Sequence, residues 1–172
     1  MVSVALTFTM DSAMGVRKNK RIPWSGFQPE QFHIQMSEGK VCIGTLQTFV
    51  TMMELVGPHT MKEIGDTRVP IVVADENLDI PNVKVVNSLR DALNYGYELG
   101  RDIVIIASFE EYEEFKDDLT EIHVSVVPGV YNCDENAKYI MEDLKERFTI
   151  EDVIIAKSGI NFVTYKRNDT DD

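Results

Sequence analysis

The residue types best suited to chemistry in this chain are a basic cluster, a serine at a strand-to-helix corner, and a scatter of thiols and imidazoles. The run Arg17-Lys18-Asn19-Lys20-Arg21 packs four of the 17 basic residues into five positions. It is either a solvated loop or a local contact for an anion. Ser108-Phe109-Glu110-Glu111 follows the branched apolar run Ile103–Ile106 and fits a Ser-x-x-Glu capping box, whose serine hydroxyl satisfies amide N–H groups at a helix start. A phosphate binds the same N–H groups where such a corner is rich in glycine. Cys42, inside the apolar run VCIG, is far from Cys133, so two reduced thiols are expected and not a disulfide. His33, His59 and His123 have no ligand spacing with cysteine or with one another, and no metal site is expected.

A single core must position these residues. The length of 172, with 44% hydrophobic and 27% charged residues, fits one globular domain over 1–167 followed by an acidic tail at 168–172. No run approaches the roughly 18 apolar residues that span a bilayer. The apolar start MVSVALTFTM has no preceding basic region and no small-residue cleavage site, so it predicts a first strand in a cytoplasmic protein. A net charge of −12 and a pI near 4.6 argue against nucleic acid or an anionic membrane as partner, because neutralising phosphate requires Lys and Arg.

Along the chain, strand-like and helix-like runs alternate. VSVALTFT, KVCIG, RVPIVVAD, VKVVN, IVII and EIHVSVVP read as strands. Helices are expected from about Pro29 to Gly39, from Thr45 to Gly57, over Ser88–Gly100 with Ser88 as N-cap, and from about Phe109 to Leu119. The last two β-rich runs, around Lys157-Ser158-Gly159, predict a hairpin. This alternation predicts an α/β fold with a mainly parallel central sheet flanked by helices and an antiparallel C-terminal hairpin. Ligands of such sheets sit at the carboxyl ends of the strands, which places Gly44, Ala107 and Ser125 near any site.

The order of these motifs resembles the dihydrofolate reductase family. The carriers are MVSVALTFTMDSAMG, the Pro-Trp of Ile22-Pro23-Trp24, VCIG followed by TLQTF, TRVPIVVAD, and IVIIASFEEYEEFKDDLTEIHVSVV, which matches the late strand, helix and strand without gaps. The resemblance implies a substrate side made of Thr7, Trp24, Phe32 or His33, Arg68 as the partner of a substrate carboxylate, and Ser125 in place of a threonine. It implies a cofactor side at Gly15, Gly44, Thr45, Thr48, Ala107 and Ser108.

The chain departs from the family's pattern where chemistry is done. Gln28 and Pro29 stand where the family's acid is expected, leaving Glu30 as the candidate catalytic carboxylate; it is equally suited to the surface of a helix first turn. Ala107 and Ser108 replace paired glycines, Glu110, Glu111, Glu113 and Glu114 add negative charge beside them, and Thr45-Leu46 stand where a cation often follows the glycine. The expectation is a reductase-fold protein without standard NADPH-dependent catalysis that binds no cofactor and works as a binding or interaction module for a folate-like small molecule or an unidentified protein. The alternative is an active, divergent dihydrofolate reductase, or a related pyrimidine reductase of riboflavin synthesis, using NADP with Glu30 as acid and Arg17–Arg21 on its phosphates.

Overall fold

The computed structural model describes residues 2–24, 32, 36–50, 69–80, 83–106 and 112–168. The strands are β1 (Val4–Met10), β2 (Gly15–Arg17), β3 (Val41–Thr45), β4 (Val69–Val73), β5 (Lys84–Val86), β6 (Ile103–Ile106), β7 (Glu121–Val126), β8 (Glu135–Asn136), β9 (Phe148–Ile155) and β10 (Asn161–Arg167). The helices are α1 (Leu89–Leu99), α2 (Tyr112–Phe115) and α3 (Lys138–Arg147), and residues 46–50 are also helical. Eight strands form one sheet in the order β5-β4-β3-β6-β1-β7-β10-β9, while β2 pairs with β8. From β5 to β7 every pairing is parallel, and β10 is antiparallel to both its neighbours. The expected mainly parallel sheet with an antiparallel C-terminal hairpin is therefore present.

Side-chain alternation divides the sheet into two faces. Val4, Leu6, Phe8 and Met10 of β1 join Val41, Ile43, Ile103, Ile105, Ile122 and Val124 in one core. Leu89, Ala92 and Leu93 of α1 and Ile140 and Leu144 of α3 cover that core. Helix α1 starts where its cap predicts, with Ser88 Oγ accepting from Asp91 N–H at 3.1 Å. It ends at Gly100 in the left-handed region, φ 67°.

Two features differ from the sequence expectation. The helix expected to reach Leu119 ends at Phe115, and the chain tightens into turns in which Asp118 N–H donates to Phe115 C=O and Leu119 N–H to Lys116 C=O. The Arg167 guanidinium donates to the Lys116 and Asp117 carbonyls as well, so the carbonyls past the helix end have partners without its continuing. Helix α3 was not anticipated, although Ala137, Ile140, Met141 and Leu144 have helical spacing and pack on the main core. It is tied to α2 by Tyr112 Oη, which donates to Asp143 at 2.6 Å; burial of the ring and the adjoining carboxylate push the phenol pKa far up.

Gly96 marks the closest approach of α1 to the sheet, since a Cβ there would lie 2.6 Å from Ile103 Cδ1 and 2.7 Å from Cγ1. Gly96→Ala is expected to destabilise the protein by about 1–2 kcal/mol, the overpacking cost exceeding the roughly 1 kcal/mol gain in helix propensity. Urea unfolding checks this, and a more stable variant would refute the close-packing argument.

Candidate functional site

The second face of the sheet is polar at its centre. Registered neighbours in parallel strands share a face, so Thr7 of β1 lies beside His123 of β7, and Thr9 lies beside Ser125. Strand β10 continues the rows with Phe162 beside Ser125, Thr164 beside His123 and Lys166 beside Glu121. Thr7 and Ser125 are fully buried. Over the carboxyl end of these rows sits a second apolar cluster of Trp24, Val127, Ile160 and Phe162, with Ile22, Phe32 and Tyr131 packed against it. The Phe32 and Phe162 ring centroids are 4.8 Å apart, and Tyr131 meets Trp24 edge-on at 5.7 Å.

Three buried polar atoms on this face have no hydrogen-bond partner among the described residues, His123 Nε2, Ser125 Oγ and Trp24 Nε1, and the last two lie at the aromatic cluster. Each of these two belongs to a residue that adjoins Phe162, Ser125 by strand register and Trp24 within the cluster. A buried donor left unpaired costs about 1–3 kcal/mol. The pair therefore marks where a bound partner would be most rewarded.

Four of the sequence-predicted substrate residues, Thr7, Trp24, Phe32 and Ser125, are thus gathered at one end of one face. Gly44 and Thr45 end β3, two strands from β1, with Thr48 one turn into the helical segment. There Thr48 N–H donates to Thr45 Oγ1 at 3.1 Å and the two hydroxyls are 3.0 Å apart, so the segment caps itself. Glu30, Arg68, Ala107 and Ser108 lie outside the described residues, as do His33 and Glu111.

Gly15 serves the loop that leads to Trp24. A Cβ on it would lie 2.7 Å from Cys133 and 2.9 Å from Asp11 Oδ2. Buried Asp11 accepts from Ala13 and Gly15 N–H at 2.8 Å each and from Tyr131 N–H at 3.0 Å. Burial opposes its charge, but these backbone donors and the Cys133 thiol outweigh it, and the Asp11 pKa falls below the ordinary value. The same carboxylate and burial push the Cys133 thiol up.

Beyond Gly15 the chain turns sharply. Lys18 N–H donates to Arg21 C=O at 2.9 Å and Arg21 N–H returns the bond at 3.0 Å. Asn19 and Lys20 between them have φ of 51° and 63°, as in a type I′ hairpin turn. Asp134 fastens this hairpin, its Oδ2 accepting from Asn19 N–H at 3.0 Å and its N–H donating to Arg17 C=O at 3.1 Å.

Along the strand that carries Ser125, the sequence expectation left Glu121 and His123 out of the site. Glu121, His123 and Ser125 alternate along β7, a period-two signal that places all three on one face. His123 Nδ1 is 3.1 Å from Thr164 Oγ1, Nε2 is 3.6 Å from Glu121 Oε1, and Lys166 Nζ meets Glu121 Oε2. The neighbouring His123 and the Lys166 ammonium overcome burial and hold the Glu121 carboxyl down at about 2.

A carboxylate with a depressed pKa in the fold stabilises above its unfolded value and loses that contribution as pH falls towards the folded one. Stability owed to Glu121 is accordingly complete above about 4.5 and lost down to about 2. Glu121→Gln is expected to be less stable than the parent at pH 7 and to show a shallower loss of stability between pH 4.5 and 2, measured by urea unfolding across that range. Parallel acid limbs in the two proteins would refute the assignment.

No family model matches the chain, and no curated protein matches it in sequence. Among solved structures, dihydrofolate reductase from Enterococcus faecalis, complexed with NADP(H) and RAB-propyl, is similar with a TM-score of 0.74. The likeness covers 97% of each chain at 15% sequence identity. With its sheet order and its hairpin-closed parallel strands, this chain has a divergent dihydrofolate reductase-like fold.

Proposed function

We propose that the protein is a binding module for a flat heteroaromatic ligand of the folate class, built on a reductase fold and without ordinary NADPH-dependent catalysis. The observation that carries this reading is the pair of buried atoms with no hydrogen-bond partner among the described residues, Ser125 Oγ and Trp24 Nε1, beside the Phe32 and Phe162 rings. A cluster of tilted and edge-on aromatic rings suits a planar ligand, and two buried hydrogen-bonding groups suit one with polar edges. The buried carboxylates among the described residues, Asp11 and Glu121, are already engaged by backbone N–H groups and by Lys166 and His123. Neither has a proton to give near neutral pH.

NADP(H) fits the described cofactor corner poorly. At Thr45 the helical segment caps itself, and no Lys or Arg occurs between Val41 and Val50 to balance a phosphate. The second reading, an active reductase with Glu30 as acid, is favoured by the 97% coverage against a reductase solved with NADP(H).

Methotrexate at a hundredfold excess over its Kd is expected to stabilise the protein by about 2.7 kcal/mol, a rise in Tm of roughly 5–10 °C. No shift would remove the folate-class reading. Ser125→Ala is expected to weaken that binding by about 1 kcal/mol, roughly fivefold, while leaving the free protein as stable or more so. Millimolar NADPH is expected to leave the fluorescence of Trp24, the single tryptophan, unquenched. NADPH consumption that depends on dihydrofolate would establish the second reading instead.

A further inference from the structure

The hairpin Lys18–Arg21 carries a cost that its own stability does not explain. A type I′ turn needs left-handed backbone at both central positions, which Asn tolerates at the first and glycine favours at the second. The second is Lys20, with φ 63°. A long side chain there is strained, and such strain persists where the surroundings impose it and the side chain is used. The surroundings do impose it, through the reciprocal Lys18 and Arg21 backbone bonds and the clasp of Asp134 on Asn19 and Arg17.

The chain has 29 acidic residues against 17 basic ones, so most cations could find a carboxylate. Lys18, Lys20 and Arg21 are exposed and form no ion pair among the described residues. Two carboxylates adjoin the turn: Asp134, whose Oδ2 accepts from the Asn19 N–H, and Glu135, in register with Arg17. The arm also has a fixed place, because Ile22, the residue after Arg21, packs on the cluster that contains Trp24. Three cations are thus held on a hydrogen-bonded turn beside the candidate site, with Arg21 about 10 Å of chain and Lys18 about 20 Å of chain from Trp24.

We infer that this hairpin is a binding arm for a phosphoryl anion at the cleft rim. The inference does not depend on the folate-class reading, since its ligand contacts Lys18, Lys20 and Arg21 and not Ser125. The phosphoryl group comes either from free inorganic phosphate or from a phosphorylated ligand that reaches into the cleft. In both cases the Lys18, Lys20 and Arg21 cations, carried on one pre-ordered turn, supply the recognition.

The test is a titration of the whole protein with sodium pyrophosphate at constant ionic strength, followed by the amide resonances of residues 18–21. Saturable shifts that chloride does not reproduce are expected. Lys20→Gly keeps the turn and removes one charge, so it is expected to raise Tm while weakening pyrophosphate binding about two- to fivefold. The triple change Lys18→Gln, Lys20→Gly, Arg21→Gln is expected to abolish saturation. ADP binding tighter than pyrophosphate, with a change in Trp24 fluorescence, would assign the phosphoryl group to a cleft ligand; equal affinities would assign it to the free anion. Absence of a saturable response in the parent, or unchanged affinity in the triple variant, would overturn the inference. A lower Tm for Lys20→Gly would overturn its premise of strain.

Discussion

Strand β1 lies between β6 and β7 in parallel register, and everything else in the molecule is arranged around the two-residue period this imposes. Leu6 and Phe8 must enter the main core together with Ile105 and Ile122, which sends Thr7 and Thr9 to the opposite face with His123 and Ser125. A slip of one residue would bury Thr7 among aliphatic side chains and expel Phe8. The packing that stabilises the domain and the polarity that equips the second face are one constraint. Replacing Thr7 or Ser125 therefore probes the site without touching the main core.

Electrostatics on the second face is local and nearly self-contained. Glu121 is balanced by Lys166 and His123, while Asp11 is balanced by backbone N–H groups without any cation. This second arrangement joins the turn after β1 to the segment at Tyr131, and Asp134 then fastens the basic hairpin. Trp24 follows closely on this pinned segment, whose anchors are two aspartates in loops. The consequence for binding is a preorganised rim, where ordering costs are met in folding and not at ligand capture.

A dihydrofolate reductase-like fold at 15% identity separates what the architecture preserves from what the site requires. Sheet order and core alternation tolerate any sequence of the right polarity pattern, so a fold can persist while its chemistry changes. The self-capped corner at Thr45 and the engaged carboxylates bear on chemistry alone. They leave the sheet and its strand order intact.

Much of this architecture was legible from local signals. Ile103–Ile106, Val69–Val73 and the Ser88-capped helix declare themselves through branched apolar runs and capping chemistry, which act over a few residues. Helix α3 was equally readable from Ala137, Ile140, Met141 and Leu144, a spacing partly hidden by charged neighbours. The resemblance in motif order drew Thr7, Trp24, Phe32 and Ser125 into one candidate site. It had no means of including Glu121, His123, Thr164 and Lys166, whose partnership spans more than forty residues and exists only through the antiparallel register of β7 and β10. The charge of Arg17–Arg21 was likewise visible in the sequence. That Lys20 is held in a left-handed turn, and that Asp134 holds it there, was decided by tertiary structure, because backbone sign and long-range hydrogen bonds are properties of the closed chain and not of residue type.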